Sequence, residues 1–348
     1  MMLCVARQLA ASLEKQFAPQ KVDAIFRGLP PVEPAPQTED VCVCALQMEL
    51  RTFHSPERWI RKLDNTLDLA VRQGSRIVCL PEFYAMTPLL CHRLVHLAVK
   101  GAALLPSGAG GTDTELSVAP LLKAFSFLMP VYEEIICRFA KRYGIWLYGG
   151  SGFVLEKDTV FNRGFLATPE GRIAARQDKI HLTKEEMDMG ISAGDTLQVI
   201  PTPIGNIALS VCMDATYFET FRIAKAKGAD YIIVPIGDMA EFDPWLALRG
   251  AQMRVNETGL AAIKPALVTS PDFPVTFSGK AGIYFPMATC LESAECSHPR
   301  KEDMVIRRFS LAALRNRKSE LFQRDNPEFD RHYIEELIKS THFPQTDH

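Results

Sequence analysis

The chain has 348 residues, a formal net charge of −2, a hydrophobic share of 47% and a charged share of 23%. These values are typical of a globular protein with a sizeable core, and they exclude extensive disorder. Because the charge is nearly balanced and no long basic or acidic run is present, nucleic acids and anionic membranes are disfavoured as partners, and a small, roughly neutral ligand fits better.

The cysteine content indicates the compartment. Nine cysteines, an odd number without repeating spacing, in a chain of this size are typical of a reducing environment. The apolar start of the chain is interrupted by Arg7 and Gln8, and no stretch approaches the roughly 18 apolar residues of a membrane helix. The sequence therefore predicts a cytoplasmic protein without a membrane span.

The first 40 residues differ from the rest of the chain. Residues 3–28 carry apolar side chains at spacings of three and four, which predicts one or two amphipathic helices. Four prolines between Leu29 and Pro36 then forbid a helix and predict an extended linker. We therefore expect residues 1–40 to form an arm that the core fold does not need and that is able to cover a neighbouring subunit.

A larger α/β domain follows over residues 41–314. Helices are predicted at 59–72, 120–143, 217–226 and 245–256. Strands are predicted from short apolar, β-branched runs at 41–46, 76–80, 145–148, 160–168, 172–176, 198–202, 206–211, 231–235, 261–263, 282–285 and 304–309. The alternation predicts helices on both sides of substantial sheet, whereas residues 89–117 give no clear pattern. A short helix at 311–317 leads into a charged tail over residues 315–348.

Cys212 occupies the most distinctive position in this domain. It ends the strand at 206–211 and is followed by Asp214 and Thr216, two residues that favour helix N-termini. A strand-to-helix elbow of this kind turns the cysteine out of the sheet and places free N–H groups beside it, which favours a thiolate. The pattern fits a nucleophile, although most free cysteines are small buried side chains.

Two charged residues also follow buried strands directly. Glu82 comes after Ile77–Pro81, and Lys179 comes after Ile173–Asp178. Strand ends at one edge of an open α/β sheet converge on a crevice, so an acid, a base and a thiol can meet there. Taken separately, each charge is more typical of a solvated surface.

In combination, three segments resemble the signatures of the nitrilase superfamily of carbon–nitrogen hydrolases. They are Leu80-Pro-Glu82-Phe, Arg176-Gln-Asp-Lys179-Ile-His-Leu182 and Ser210-Val-Cys212-Met-Asp214, in this order and at these separations. The resemblance extends over roughly residues 41–314. It implies an α-β-β-α sandwich of two mixed sheets, a Glu82-Lys179-Cys212 triad, and a homodimer or larger assembly.

The resemblance also implies further site residues. A second glutamate after the lysine motif matches Glu186, with Glu185 as the alternative. Met213 stands where many members have tyrosine or tryptophan, and Tyr217-Phe218-Glu219 stands where Phe-Pro-Glu is common. These departures leave the triad intact but bear on the substrate.

The chemistry of the three residues agrees with this reading. A free thiol is only a few per cent ionised at neutral pH, so it needs a base, and a shielded Glu82 would supply one. Lys179 and the backbone N–H of Met213 would stabilise the oxyanion. The predicted activity is hydrolysis of a non-peptide amide or carbamoyl bond, releasing ammonia and a carboxylate. A nitrilase and a non-catalytic scaffold protein are the alternatives.

No cofactor or metal is predicted. His92 and His96 are spaced as on one helix face, and Cys290, Cys296 and His298 are clustered in sequence. The histidine pair has no evident third ligand, and the second group is better read as a loop. Cys42 and Cys44 alternate on a predicted strand, which favours packing over metal or disulfide use.

Overall fold

The computed structural model describes residues 2–33, 39–103, 127–248, 250–271 and 273–316, together with positions 332 and 335. Part of the unassigned stretch at 89–117, the start of the helix predicted at 120–143 and most of the tail at 315–348 lie outside these residues.

The α-helices of the described residues are Met2–Gln16 (α1), Pro19–Arg27 (α2), Pro56–Arg72 (α3), Arg93–Ala103 (α4), Leu128–Tyr143 (α5), Lys184–Asp188 (α6), Phe218–Ala226 (α7), Pro244–Leu248 (α8) and Ala251–Thr258 (α9). The strands are Val41–Glu49 (β1), Ile77–Cys79 (β2), Trp146–Glu156 (β3), Thr159–Ala167 (β4), Ile173–Asp178 (β5), Val199–Thr202 (β6), Gly205–Leu209 (β7), Tyr231–Ile233 (β8), Ala261–Lys264 (β9), Ala266–Val268 (β10), Gly282–Tyr284 (β11), Ala294–Glu295 (β12) and Asp303–Phe309 (β13). Short 3-10 helices lie at Tyr84–Met86, Leu89–Cys91, Cys212–Thr216 and Met287–Thr289.

The strands form two mixed sheets. The first has the order β10-β1-β2-β3-β4-β5, with β13 also pairing antiparallel to β1, and the second has the order β12-β11-β9-β8-β7-β6. Within them β1, β2 and β3 are parallel neighbours, as are β7, β8 and β9. The carboxyl ends of these strands therefore lie at common sheet edges, where charged side chains can converge.

The two sheets pack face to face and helices cover both outer faces. Val43 and Ile77 of the first sheet share one buried cluster with Ile207 and Ile233 of the second. Helices α3 and α5 cover the first sheet, and α7 and α9 cover the second. This arrangement confirms the expected α-β-β-α sandwich.

Local signals explain where several elements begin and end. Helix α3 starts three residues earlier than predicted, because Ser55 accepts a hydrogen bond from the N–H of Arg58 (3.3 Å) and Pro56 occupies the first turn. The prediction of a single helix over residues 245–256 is wrong, because this segment forms two helices, α8 and α9. Gly250 is the N-cap of α9 and does not continue α8.

Strand β3 is much longer than the predicted 145–148. It continues through a bulge after Tyr148, where the register with β4 shifts. Gly150 has φ +71°, and a side chain there would collide with the carbonyl oxygen of Pro81. The glycine at this position lets β3 pass close to the segment that carries Glu82.

The N-terminal arm packs against the domain that follows it. Leu13 is fully buried and Phe17 is 3% exposed, and Phe17 lies edge-on to Trp59 of α3, with ring centroids 6.1 Å apart. Arg138 of α5 pairs with Asp23 (2.5 Å). The apolar face of the arm packs on the helices that cover the first sheet. Burial of this apolar surface stabilises the contact, although the proline-rich linker itself is extended.

This packing predicts a measurable stability contribution. Phe17→Ala should lower the free energy of unfolding by about 3 kcal/mol, because it removes a buried aromatic side chain and leaves a cavity. Denaturant titration measures the change, and Gln20→Ala on the exposed side of the arm is the matched control. Equal stability of the two variants would show that the arm is not part of the cooperative core.

Candidate active site

Cys212 stands on a sharp elbow between β7 and α7. Its φ is +45°, in the left-handed region, and its N–H donates to the carbonyl of Pro235 (2.8 Å). The preceding Ser210 is held by its own hydroxyl, which donates to Ile233 (2.9 Å). A non-glycine residue at positive φ is costly, so these bonds keep the cysteine in a geometry that the chain would not adopt alone. The residue itself is only partly buried.

Asp214 joins this elbow to the lysine loop. One oxygen accepts the N–H of Val211 (2.8 Å), and the other accepts the backbone N–H groups of Ile180 (3.2 Å) and His181 (2.7 Å). Asp214 was expected to cap the helix after the cysteine. It instead ties residues next to Lys179 to residues next to Cys212, because α7 begins only at Phe218, with Tyr217 as its N-cap.

Glu82 follows β2 at the adjacent sheet edge. The next residue, Phe83, also has a left-handed backbone (φ 60°), so the chain turns sharply after the glutamate. A side chain added at Gly237 would lie 3.2 Å from Oε2 of Glu82 and 2.9 Å from the Phe83 ring. Glu82 is therefore enclosed by backbone from the loop that follows β8, and it is fully buried.

A buried charge cluster surrounds Lys179. Its ammonium lies 3.0 Å from Oε1 of Glu82 and 2.8 Å from Oε2 of Glu186, and all three residues are at most 2% exposed. Oε1 of Glu82 is thus occupied, whereas Oε2 is buried and makes no hydrogen bond of regular geometry with the described residues. One ammonium between two carboxylates holds the lysine in place and leaves one Glu82 oxygen available.

Asn162 is a fourth member of this cluster, and sequence reasoning missed it. Its Nδ2 donates to Oε1 of Glu82 and to Oε1 of Glu186, each at 2.9 Å. The backbone carbonyl of Asn162 also accepts the N–H of Lys179 (2.9 Å). The available signal was an amide inside a strand with apolar neighbours, which favours a buried polar network.

Glu186, and not Glu185, reaches the cluster. Thr183 and Glu186 form a reciprocal capping box at the start of α6, with Thr183 N–H donating to Oε2 of Glu186 (3.0 Å). This turn directs Glu186 inward, while Glu185 is exposed.

Met213 lies directly after Cys212, and its backbone N–H makes no hydrogen bond within the part of the chain that the structure describes.

The electrostatics favour a neutral thiol beside a basic carboxylate. Burial raises the pKa of Glu82, opposed by Lys179 and the nearby Cys212 thiol, and Glu186 raises it further. Burial and then Glu82 raise the pKa of Cys212, while Lys179 lowers it. The two carboxylates and Cys212 keep the pKa of Lys179 above its ordinary value despite burial, so the lysine stays an ammonium.

Asp238 lies on the open side of Cys212. The thiol approaches its Oδ1 at 3.8 Å. The residue retains exposed surface, yet the surrounding protein raises the pKa of its carboxyl, opposed first by Lys264. Asp238 therefore interacts with both Cys212 and Lys264, the last residue of β9 in the same sheet.

The other residue groups noted in the sequence lie elsewhere. His92 bonds Ser12 (2.9 Å) and His96 bonds Thr52 (2.5 Å), so each imidazole has a side-chain partner. Cys42 and Cys44 are buried in β1, as expected. Among the described residues no group of His, Cys, Asp or Glu side chains is arranged to hold a metal, and none of their helices is long and apolar enough to cross a membrane.

Comparison with known proteins identifies the family. The carbon–nitrogen hydrolase family model matches residues 42–319. The chain therefore belongs to the carbon–nitrogen hydrolase family. This confirms the resemblance to the nitrilase superfamily and the expected enzyme class, hydrolases of carbon–nitrogen bonds other than peptide bonds.

Individual relatives are distant. The probable hydrolase YhcX of Bacillus subtilis is 27% identical over 222 residues, which are 63% of this chain and 37% of that protein. A deaminated glutathione amidase of Synechocystis is 27% identical over 64% of this chain and 75% of its own length. An amidase of the nitrilase superfamily from Nesterenkonia has the same fold, with a TM-score of 0.58 at 17% identity over 83% of this chain and 98% of its own.

The charge cluster predicts how Cys212 responds to alkylation. Lys179→Met should slow labelling of Cys212 by iodoacetamide at pH 7 about tenfold or more, because the ammonium that favours the thiolate is lost and Glu82 becomes protonated. Peptide mapping is best done in a Cys290→Ser background, since Cys290 is exposed and competes for reagent. Lys184→Met removes an exposed lysine of the neighbouring turn and serves as control. Equal labelling rates in the two variants, with both folded by circular dichroism, would contradict the electrostatic coupling.

Proposed function

We propose that this protein hydrolyses a small non-peptide amide through a thioester on Cys212, releasing ammonia and a carboxylate. One observation carries the proposal. Cys212, a partly exposed residue, lies beside a buried carboxylate whose Oε2 is available, while an ammonium occupies the other oxygen. A nucleophile, a base and a cation in contact with one another are the groups that acyl transfer at a thiol needs.

In the first half of the reaction Glu82 takes the proton of Cys212 as Sγ attacks the amide carbon. The C–S bond forms, the carbonyl π electrons move to oxygen, and collapse of the tetrahedral species breaks the C–N bond. Glu82 returns the proton to the leaving amine, which departs as ammonia. The raised pKa of Glu82 suits both directions of this transfer.

In the second half water replaces the amine. Glu82 takes a proton from water as the new C–O bond forms, the C–S bond breaks to release a carboxylic acid, and Glu82 returns the proton to sulfur, which regenerates the thiol. We assign oxyanion stabilisation to the Lys179 ammonium and the N–H of Met213, and loss of one such donor typically costs about 3 to 4 kcal/mol. Glu186 and Asn162 are positioning residues that hold Lys179 and Glu82.

Among carbon–nitrogen substrates an amide is favoured over a nitrile. Relatives found by comparison are named deaminated glutathione amidase and omega-amidase. Met213 follows the cysteine here, where tryptophan is typical of the nitrilases that the sequence resembles. Carbamoyl compounds share the amide geometry and form the second substrate class to test.

We further propose a homodimer or larger assembly in the cytoplasm. Large apolar side chains are exposed on the neighbouring helices α7 to α9, including Phe218 (40%), Ile223 (44%) and Trp245 (80%). Clustered exposed apolar surface is typical of protein interfaces. The proposed location rests on the odd number of cysteines.

Turnover tests the nucleophile and the base. Cys212→Ser and Glu82→Gln should each lose at least about a thousandfold of ammonia release from an active amide, because serine is much harder to deprotonate and glutamine cannot accept a proton. A panel of amides, carbamoyl compounds and nitriles identifies the active class, and Cys290→Ser is the matched cysteine control.

Mass spectrometry then tests the covalent intermediate. A Glu82→Asp variant incubated with an active amide should carry the acyl group on Cys212, and hydroxylamine should remove it as a hydroxamate. Retention of most activity by Cys212→Ser would overturn the proposal. No ammonia release from any of the compounds would instead support a scaffold protein.

The pH profile tests the role of Asn162. Activity requires deprotonated Glu82, so its acid limb should lie above the ordinary glutamate pKa. Asn162→Leu removes a donor that stabilises the carboxylate, which raises the pKa of Glu82 and should move the acid limb to higher pH by up to about one unit. Asn206→Leu, at a remote partly buried site, should leave the limb in place. A lower kcat with an unmoved acid limb would reduce Asn162 to a packing role.

A further inference from the structure

Tyr148 of β3 contacts both segments that lead to the proposed site. It lies directly before the bulge of the strand, and its side chain is fully buried. Its backbone carbonyl accepts the N–H of Leu80 (2.9 Å), two residues before Glu82. Its hydroxyl donates to the backbone carbonyl of Ser210 (3.3 Å), two residues before Cys212. One residue of the first sheet is therefore bonded to the chain just ahead of the proposed base and just ahead of the proposed nucleophile.

The Ser210 carbonyl needs this donor because of a proline in the neighbouring strand segment. The parallel pairing of β7 and β8 continues past the strand ends, where Ser210 N–H donates to the carbonyl of Ile233 (3.1 Å). One step further, Cys212 N–H donates to the carbonyl of Pro235 (2.8 Å). In this register the N–H of residue 235 would donate to the Ser210 carbonyl, but proline has no N–H. A buried carbonyl without a donor is costly, and the Tyr148 hydroxyl supplies the missing hydrogen bond.

The peptide unit that contains this carbonyl is also held at its N–H. That N–H belongs to Val211 and donates to Oδ2 of Asp214 (2.8 Å). The next residue, Cys212, has φ +45°, a conformation that is costly for a residue with a side chain. Rotation of the preceding peptide unit would change the direction in which the chain enters this elbow. The hydrogen bonds from Tyr148 and to Asp214 together oppose that rotation.

A glycine of β4 leaves room for the Tyr148 side chain. Tyr148 is paired with Leu166 across the sheet, and Gly164 lies two residues earlier on the same face of β4. A side chain at Gly164 would overlap the Tyr148 hydroxyl, and its Cβ would lie 2.9 Å from Cζ of the ring. The missing side chain therefore lets the tyrosine pass over β4 and reach the second sheet.

The environment keeps the Tyr148 hydroxyl protonated. Burial raises the pKa of Tyr148 well above its ordinary value, and Cys79, Glu82 and Asp214 raise it further. The hydroxyl is therefore a neutral donor at every pH at which a carboxylate base would work.

We infer that Tyr148 is a positioning residue that fixes the spacing between the Glu82 carboxylate and the Cys212 thiol. It acts through the backbone of the two segments, with its carbonyl on one side and its hydroxyl on the other, and not on the reacting atoms. The inference rests on the roles proposed above for Glu82 and Cys212 and adds the residue that sets their separation. Loss of the hydroxyl should consequently impair proton transfer more than substrate binding.

Removal of the hydroxyl from two buried tyrosines tests this role. Tyr148→Phe deletes the hydrogen bond and keeps the ring. Tyr231→Phe is the matched control, because Tyr231 is also fully buried and its hydroxyl also donates to a backbone carbonyl, that of Ile204 (3.2 Å), at the opposite end of β7 from Cys212. In a Cys290→Ser background, Tyr148→Phe should label at Cys212 with iodoacetamide at pH 7 about tenfold more slowly than Tyr231→Phe, since the thiol loses its fixed place beside the base.

Turnover gives a second readout. With an active amide, Tyr148→Phe should lower kcat about tenfold and change KM less than about twofold, because the hydroxyl positions the reacting groups without binding the substrate. Tyr231→Phe should leave both constants in place. Urea titration compares the stability of the two variants, so that a loss of rate in only one of them is separated from a general loss of stability.

A change on β4 tests the same hydrogen bond independently. Gly164→Ala keeps the Tyr148 hydroxyl but displaces it from the Ser210 carbonyl, so it should slow labelling of Cys212 to a similar extent. The double variant with Tyr148→Phe should be little slower than the slower single variant, because both changes remove one interaction.

The outcomes distinguish the positioning role from the proposed hydrolysis. Labelling of Tyr148→Phe as fast as that of Tyr231→Phe, or a change in KM alone, would overturn the positioning role while amide hydrolysis stands. Tyr148-dependent labelling without turnover of any amide would support the positioning of Cys212 and overturn the proposed hydrolysis. If Tyr148→Phe does not fold, the labelling rate of Gly164→Ala decides, and a rate equal to that of Tyr231→Phe would overturn the inference.

Discussion

The arrangement around Cys212 depends on one buried ammonium. Lys179 forms ion pairs with Glu82 at 3.0 Å and with Glu186 at 2.8 Å, in a region where neither glutamate is more than 2% exposed. Two unpaired carboxylates buried this closely would repel each other and take up a proton. The lysine therefore favours the ionised form of Glu82 and opposes the rise in its pKa that burial causes, without occupying both of its oxygens.

The site lies where the two sheets meet. Glu82 and Lys179 follow strands of the first sheet, whereas Cys212 follows a strand of the second. Asp214 links the two sides, because its carboxylate accepts backbone N–H groups from both. The site is consequently sensitive to how the sheets pack, and residues of the buried layer between them control its geometry at a distance.

The strand ends and their charged residues were predictable from the sequence. Apolar runs followed by Glu82, Lys179 and Cys212 indicate sheet edges, and motif order identifies the family. Asn162 was not predictable in this way, since its partners lie 80 and 24 residues away in the chain and only tertiary packing brings them together. The packing of the arm on α3 and α5 was not predictable either. Four prolines exclude a helix but carry no information about where the preceding helices pack.

The positive φ at Cys212 limits the evolution of this site. β-branched residues are strongly disfavoured in the left-handed region, so a threonine nucleophile could not be reached by a single substitution without rebuilding the elbow. Serine fits the backbone but would need a stronger base than a carboxylate. For the proposed nucleophile, the backbone and the base together therefore favour cysteine at this position, so that changes of activity would arise from the walls of the pocket.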